Sequence, residues 1–250
     1  MSFYGFCHLT FPWIFKVWLR WEIQGTENIP KEGRVVLAAN HISLLDPPTI
    51  GAACPRPVNF MAKEELFSNP VFGFIIRHLG VFPVKRGGAD REAIKTGLGV
   101  LKRGGILAIF PEGTRSKTGA LGRAGGGAFM MAVKTKSVII PTAIWGSDLK
   151  RHSGWPKVRI LFGKPLEYDA KGGIGRDNLE KLGAVWRERV IELQRQIVPP
   201  EEREHFEAIT AAAEKAEAAR RKRLAEREAK AAEQAAAAKA DDVEAKSSGK

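Results

Sequence analysis

The stretch GVFPVKRGGADREAIKTGLGVLKRGGILAIF, residues 80–110, decides the fold class of this chain. It begins and ends with short apolar runs, residues 80–84 and 106–110, which are typical of buried β-strands. Between the two runs, apolar residues recur at helical spacing, and Gly104 marks the end of the helix. A strand, a helix and a second strand in this order predict a βαβ unit, in which the two strands are parallel.

The same alternation continues on both sides of this unit. Further apolar runs with strand character are residues 34–39, 58–62, 138–144 and 157–163, and helical patterns cover residues 128–135 and 176–198. We therefore expect an α/β fold with a mixed, largely parallel sheet that is flanked by helices. Pro141 interrupts one of the strand patterns, which predicts either an edge strand or bulge, or a core strand with a kink.

The composition divides the chain into three regions. Residues 1–24 are rich in Phe and Trp, with Lys16 and Arg20 inside the apolar run, and no signal-peptide cleavage site follows them. This run is marginal for a membrane-spanning helix, so we expect an amphipathic helix in the membrane interface, with a core-packing helix as the alternative. Residues 25–198 form the α/β domain. Residues 199–250, rich in Ala, Glu, Lys and Arg, are expected to be a helical or disordered tail.

The positive charge is concentrated outside the tail. The chain carries a formal net charge of +12, yet residues 200–250 contain 11 basic and 12 acidic residues. The excess therefore indicates an anionic partner for the folded part, such as a phospholipid surface or a phosphorylated substrate. We expect no nucleic-acid partner, because the sequence contains no recognisable nucleic-acid-binding motif. Cys7 and Cys54 lack the spacing of a zinc site or a disulfide framework, which favours a reducing compartment.

The segment NHISLLDP, residues 40–47, directly follows a predicted strand, where ligands bind in parallel sheets. His41 and Asp46 would diverge on a continuous helix, so they can meet only if the chain bends between them. An imidazole that is oriented by a carboxylate makes a general base near neutral pH. The alternative is structural, with Asp46 as the N-cap of a helix that begins at Pro47.

A second loop, FPEGTRS at residues 110–116, follows the strand that ends the βαβ unit. The sequence places Glu112, Thr114 and Arg115 in this tight loop, and Gly113 permits close approach of the backbone. The planar fork of an arginine suits phosphate oxygens. An ordinary β-turn with an exposed arginine is the alternative.

A Lys-Arg pair, Lys85 and Arg86, follows the strand at residues 80–84, and two glycines come next. Two cations beside a flexible backbone are a candidate phosphate-binding element. A polar strand end is the alternative, and it is the favoured one when this segment is considered alone.

Taken together, four segments resemble the glycerolipid acyltransferase family, and most of all its bacterial PlsC-type 1-acyl-sn-glycerol-3-phosphate acyltransferases (lysophosphatidic acid acyltransferases). They are NHxxxxD, G-x-F-x-x-x-R from Gly80, FPEGTRS and VIIPTAI, in this order, within residues 20 to 170. The resemblance implies transfer of a fatty acyl group from a thioester to the hydroxyl of lysophosphatidate, which gives phosphatidic acid without an acyl-enzyme. Acyl-CoA or acyl carrier protein is the implied donor, and no metal or bound cofactor is implied.

The resemblance also implies roles for individual residues. His41 takes the proton from the acceptor hydroxyl, and Asp46 holds the tautomer of its imidazole. Arg86 and Arg115 bind the acceptor phosphate, with Lys85 as a helper. Glu112 and Gly113 shape the acceptor site, and Thr114 donates a hydrogen bond there.

Several alternatives stay open at this point. The acceptor could be another lysolipid or glycerol 3-phosphate, His41 could activate water in a lipid hydrolase, or the protein could bind anionic lipid without catalysis. Residues 71–76, VFGFII, are either core or a wall of the apolar tunnel that would set the acyl chain length. We expect a peripheral or monotopic protein at the cytoplasmic face of the cell membrane, in contact with its anionic surface.

Overall fold

The structure is a computed structural model, and the residues that it describes are 3–85, 90–148, 157–170, 172–220, 222–223 and 226. The chain divides into two units, Met1–Phe206 and Glu207–Lys250. In the second unit, residues 207–220 are helical. The first unit contains the sheet and the candidate site, and the following paragraphs concern that unit.

The first unit is built on a seven-stranded sheet. Its strands are β1 (Glu22–Gln24), β2 (Val35–Ala39), β3 (Val58–Lys63), β4 (Val81–Val84), β5 (Ile106–Ile109), β6 (Val138–Trp145) and β7 (Arg159–Phe162). They lie in the order β1-β7-β6-β2-β5-β3-β4, so β2 is the central strand. β6 and β7 are antiparallel, and the other neighbours are parallel. The predicted mixed, largely parallel sheet is thus confirmed, whereas β1 was not predicted.

Helices connect the strands and cover both faces of the sheet. They are α1 (Phe3–Trp18), α2 (Asp46–Ala53), α3 (Pro70–His78), α4 (Arg91–Lys102), α5 (Gly126–Thr135) and α6 (Arg176–Ile197), with short 3₁₀ turns at Thr26–Asn28, Glu64–Phe67 and Pro200–Glu202. α4, α5 and α6 form where the hydrophobic spacing predicts them. At α4 the side chain of Asp90 accepts hydrogen bonds from the backbone N–H groups of Glu92 and Ala93, which fixes the start of that helix.

Alternate side chains of β2 point into two separate cores. Val35 and Leu37 pack with Leu19, just after α1, and with Ile50 of α2. The side chain of Val36 points to the opposite face, where the core is completed by α4, α5 and α6. Every residue of β2 is buried, because a strand covered on both faces alternates between two apolar environments. The result is three layers, with the sheet between two sets of helices.

Pro141 lies inside β6, which pairs with β2 on one side and β7 on the other. The edge-strand alternative is therefore wrong. The ladder with β7 begins at Thr142, one residue after the proline, and the backbone oxygen of Pro141 accepts a hydrogen bond from Gly163. In a β-strand the backbone nitrogen and oxygen of one residue point to the same side. The nitrogen of Pro141 therefore also faces β7, at a position beyond the end of the β6–β7 ladder, where no N–H is needed. The proline thus removes no rung of the sheet.

α1 packs on the core with one side only. Phe15 and Leu19 are buried, whereas the side chains of Trp13 and Val17 are each 70% exposed. The core-packing alternative therefore describes one side of α1, and an aromatic face is directed outward. Of the helices in the described part of the chain, none has the length and apolar composition needed to cross a membrane.

α3 exposes most of its apolar side chains. Val71 and Phe74 are 69% and 59% exposed, Phe72 and Ile75 are also exposed, and Gly73 is the buried residue of this helix. A side chain at Gly73 would meet the backbone of Phe67, which shows how closely the helix approaches the preceding turn. The interpretation of residues 71–76 as ordinary core is therefore wrong.

Candidate active site

The candidate site begins where β2 ends. His41 follows the strand, α2 begins at Asp46, and the Nδ1 atom of His41 lies 2.7 Å from Oδ2 of Asp46. The bend that their spacing requires is therefore present. Asp46 is the first residue of α2, with Leu45 as the N-cap residue, so the predicted N-cap role of Asp46 is wrong. Its carboxylate points back to the preceding loop, where His41, Ile42 and Ser43 donate hydrogen bonds to it.

The carboxylate of Asp46 is fully buried and receives four hydrogen bonds. Oδ2 accepts from Nδ1 of His41 and from the backbone N–H groups of Ile42 and Ser43, each at 2.8 Å. Oδ1 accepts from Oγ of Ser147 at 2.5 Å. A carboxylate has about four acceptor positions, so the four donors complete it. Because this carboxylate accepts, Nδ1 of His41 carries the hydrogen, and the lone pair of the neutral imidazole lies on Nε2.

The imidazole of His41 is held in a defined plane. It stacks on the ring of Phe110, with centroids 4.0 Å apart and an angle of 18° between the planes. The side chain is 16% exposed, and in the described part of the chain no hydrogen-bond partner occupies Nε2. Nε2 is thus an oriented atom that can take a proton from a hydroxyl.

Glu112, in the loop after β5, anchors the backbone of the histidine loop. Its Oε1 accepts a hydrogen bond from the backbone N–H of His41 at 2.8 Å, and its Oε2 accepts one from Gly122 at 2.8 Å. The backbone N–H of Ser116 donates to the carbonyl oxygen of His41 at 2.7 Å. A Cβ atom at residue 122 would lie 2.9 Å from Oε2 of Glu112, so any larger residue here would require the carboxylate to shift. The loops after β2 and β5 are therefore joined on both sides of His41.

Burial raises the pKa of Glu112 from an ordinary 4.5 to about 7. The backbone hydrogen bonds from Gly122 and His41 favour the charged form and oppose this shift. The negative charge of Asp46 raises the pKa further, and the positive charge of Arg187 lowers it. The site thus holds two carboxyl groups with different partners.

Three residues of the second loop that were predicted to belong to the acceptor site, Gly113, Thr114 and Arg115, lie at the surface. Thr114 and Arg115 are exposed, and Gly113 has a φ of +69°, a conformation that favours glycine. The hydroxyl of Thr114 donates to the backbone oxygen of Arg115 at 3.2 Å. The arginine therefore reaches into solvent from the loop that also carries Glu112.

Lys85, like His41, follows the carboxyl end of a strand, but the two strands are far apart in the sheet. It follows β4, three strands from β2, which corresponds to about 14 Å at the usual strand spacing. Its side chain is 74% exposed, and its Nζ atom lies 4.0 Å from Oε1 of Glu64. Arg86 lies outside the described residues. The structure brings together His41, Asp46 and Glu112, and it does not bring Lys85 to them.

Two buried residues of the site, Asn40 and Ser147, were not predicted. The amide of Asn40 forms two hydrogen bonds with the backbone of Ile144, one from Nδ2 to the carbonyl oxygen at 3.0 Å and one to Oδ1 from the N–H at 2.8 Å. Asn40 directly precedes His41 in the sequence, and this position could have identified it as a site residue. Ser147 follows β6, whose carboxyl end lies next to that of β2, and this position was its only signal.

The arrangement defines a class of site: a histidine paired with a buried carboxylate, at the carboxyl ends of three neighbouring strands, β6, β2 and β5. No group of three or more His, Cys, Asp or Glu side chains that could hold a metal ion occurs among the described residues.

A family model named Acyltransferase matches residues 20–145, half of the chain, and the chain belongs to this family. It is therefore an acyltransferase.

Relatives and a solved structure agree with this assignment. The chain is 31% identical over 180 residues to a 1-acyl-sn-glycerol-3-phosphate acyltransferase of Bacillus subtilis, covering 70% of this chain and 89% of the relative. It is 35% identical over 161 residues to the enzyme of the same name from Streptococcus pneumoniae, covering 60% of each. The crystal structure of the 1-acyl-sn-glycerophosphate acyltransferase PlsC from Thermotoga maritima matches with a TM-score of 0.62 and 32% identity, over 78% of this chain and 81% of that one.

Proposed function

We propose that this protein transfers a fatty acyl group from an acyl thioester to the free hydroxyl of 1-acyl-sn-glycerol-3-phosphate, which gives phosphatidic acid in phospholipid biosynthesis. The observation that carries the proposal is the 2.7 Å contact between His41 and Asp46, which leaves Nε2 of the imidazole directed away from the carboxylate. The acceptor is chosen because relatives of this chain are named for it.

In the proposed reaction, Nε2 of His41 takes the proton from the acceptor hydroxyl while its oxygen attacks the thioester carbonyl carbon. A C–O bond forms, the C–S bond breaks, and the proton passes from the imidazolium to the thiolate that leaves. Asp46 keeps the hydrogen on Nδ1 and stabilises the imidazolium. No acyl-enzyme forms, and the proton transfer needs no metal or bound cofactor because these two side chains supply it.

Replacing His41 tests the base. The His41→Ala variant is expected to lose transfer of a radiolabelled acyl group to lysophosphatidate, because no other base contacts the acceptor in the proposed scheme. His78→Ala is the matched control, since His78 is an exposed histidine on α3. Normal turnover by His41→Ala would reject the assignment of the base.

The products of the same assay separate the alternatives. Release of free fatty acid in place of phosphatidic acid would identify a lipid hydrolase. Binding of anionic vesicles without turnover would identify a noncatalytic lipid-binding protein. A panel that includes glycerol 3-phosphate and other lysolipids determines the acceptor. Retained activity after dialysis against a chelator is the expected result for a reaction without a metal.

The acceptor phosphate is proposed to bind Arg115 and Arg86, with Lys85 as a helper and with Glu112, Gly113 and Thr114 shaping the acceptor site. Support for Arg115 comes from its exposed position on the loop that Glu112 joins to His41. Arg115→Ala is expected to raise the KM for lysophosphatidate and to leave the KM for the donor unchanged. Lys117→Ala, which removes an exposed cation from the same loop, is the control for net charge. Equal effects of the two variants on the acceptor KM would reject a specific role.

The donor is proposed to be acyl-CoA or acyl carrier protein. Both are anionic, and the excess of basic residues outside the tail favours association with either. Assays of the purified protein with each donor in turn, at two salt concentrations, decide between them. Electrostatic association predicts that the KM for the donor rises with salt.

We also propose peripheral association with an anionic membrane surface at the cytoplasmic face of the cell membrane. The exposed side chains of Trp13 and Val17 on α1, and of Phe74 on α3, support it. Deletion of α1 would disturb the core, so the test replaces Trp13 and Val17 together with Glu and measures flotation with anionic vesicles. Val185→Glu is the control, because Val185 is an exposed apolar residue of α6, on the opposite face of the sheet. Unchanged flotation of the α1 variant would reject this anchor.

A further inference from the structure

We propose that Ser147 is a positioning residue for the catalytic pair, acting on His41 through the carboxylate of Asp46. The proposal rests on the function proposed above, in which this pair performs the proton transfer. Ser147 is fully buried, and its Oγ donates to Oδ1 of Asp46 at 2.5 Å. Among the described residues, Oδ1 has no other hydrogen-bond donor, whereas Oδ2 has three.

Local structure directs Ser147 to the carboxylate. β6 ends at Trp145, and Gly146 then turns the chain with a φ of +78°, which favours glycine. A Cβ atom at residue 146 would collide with the backbone oxygen of Lys157, so the turn has room only for glycine. Ser147 therefore leaves the strand in one fixed direction.

A second contact fixes β6 relative to the histidine loop. The side chain of Asn40 forms two hydrogen bonds with the backbone of Ile144, three residues before Ser147. β6 thus holds the loop at two points, one on each side of His41. The first point extends the contact between β2 and β6 beyond their ladder, and the second supplies the donor to Oδ1 of Asp46.

Removal of the Ser147 hydroxyl would leave Oδ1 buried without its donor. The carboxylate could then rotate about its Cβ–Cγ bond, and Oδ2 would lose its alignment with Nδ1 of His41. A buried serine has no access to substrate, so the loss should fall on the chemical step. We expect kcat to decrease by about 10- to 100-fold, by comparison with metal sites, where removing the hydrogen-bond partner behind a ligating histidine has an effect of this size. The KM values for acceptor and donor should stay unchanged.

Ser147→Ala and Ser137→Ala form a matched pair of variants. Ser137 is also buried, precedes the opposite end of β6, and lies with its Oγ 2.6 Å from Oγ1 of Thr135. Both variants remove one buried hydroxyl and should lower the free energy of unfolding. Only Ser147→Ala should lower kcat. An unchanged kcat in Ser147→Ala, or an equal decrease in both variants, would overturn the proposal.

Ser147→Cys provides a variant of conserved shape if the alanine variant folds poorly. A thiol is a weaker hydrogen-bond donor than a hydroxyl. We expect a kcat below that of the wild-type protein and above that of Ser147→Ala where the latter folds. A kcat equal to that of the wild-type protein would overturn the proposal. A kcat for Ser147→Cys at or below that of a folded Ser147→Ala would contradict a role through hydrogen bonding.

A measurement without substrate separates this inference from the proposed function. The hydrogen between Nδ1 of His41 and Asp46 should give a low-field proton NMR signal, identified by its absence in His41→Ala. Ser147→Ala should shift or broaden this signal, and Ser137→Ala should leave it in place. An unaltered signal in Ser147→Ala would overturn the positioning role. If the signal responds as expected while the wild-type protein fails to acylate lysophosphatidate, the proposed function is wrong and the effect of Ser147 on Asp46 is retained.

Discussion

Replacing Glu112 with Gln tests the environment of the carboxyl group that anchors the histidine loop. Burial raises the pKa of Glu112 from 4.5 to about 7, so the folded protein binds a proton at this residue more tightly than the unfolded chain does. The stability linked to this proton is fully present below about pH 4.5 and is lost as the pH rises through about 7. A glutamine has no such proton.

The expected magnitude follows from the two pKa values. Each tenfold difference in proton affinity corresponds to about 1.4 kcal/mol, so the values of 4.5 and about 7 give ~3 kcal/mol in total. Most of this, about 2 to 3 kcal/mol, falls between pH 5 and pH 8. The free energy of unfolding of the wild-type protein should therefore decrease by this amount relative to that of the Glu112→Gln variant. The amide can accept only one of the two backbone hydrogen bonds, and this constant cost does not alter the pH dependence.

Urea denaturation followed by tryptophan fluorescence, at intervals from pH 5 to pH 8, provides the measurement. Glu188→Gln is the control, because Glu188 is exposed on α6. It shows how the same substitution changes the free energy of unfolding when the carboxyl group is not buried. A difference between wild type and Glu112→Gln that is independent of pH, or that shifts in favour of the wild type at high pH, would refute this account of the site.

Three further predictions concern buried groups of the fold. Trp186→Phe should lower the free energy of unfolding by about 1 to 3 kcal/mol in urea, because Nε1 of Trp186 donates to the buried backbone oxygen of Ala38 at 2.9 Å. Burial raises the pKa of the Cys54 thiol to about 11, so iodoacetamide at pH 8 should label Cys54 only after unfolding, as mass spectrometry can show. Rapid labelling of the native protein would contradict its burial. Gly146→Ala should lower the Tm, because it places a Cβ against the backbone oxygen of Lys157 at a φ of +78°.

Central strands were predictable from the sequence, and the short edge strand was not. In β2 and β5 every residue is buried, so the strands appear as continuous apolar runs. β1 has three residues and no such pattern. Its position depends on pairing with β7 and on the ion pairs of Glu22 with Lys157 and Arg159, at 2.5 and 2.8 Å. These contacts join residues far apart in the chain, and local periodicity does not record them.

The site was predictable to the extent that its residues occupy loops directly after predicted strands. His41 and Asp46 share one loop, and Glu112 follows the neighbouring strand. The role of Asp46 was more difficult, since an aspartate before a proline also fits a helix N-cap. Asp46 contacts the imidazole and not the start of its own helix because three donors on the preceding loop bind its carboxylate. The positions of these donors depend on the bend of the chain between His41 and Asp46. Ser147 contacts Asp46 across 101 residues, so only the order of the strands could place it there.

The two carboxyl groups beside His41 have different hydrogen-bond donors. Asp46 has four donors and is the group that contacts the imidazole, so it controls which nitrogen carries the hydrogen. Glu112 has two backbone donors, which do not offset its burial, and its pKa is raised to about 7. Glu112 accepts from the backbone N–H of His41 and forms no hydrogen bond with the imidazole ring among the described residues, so its protonation would act on the loop backbone. In the proposed reaction the proton transfer depends on the pair that Asp46 forms with His41, whereas Glu112 binds the backbone of the loop, so the variants of Glu112 and Ser147 perturb two different carboxylates.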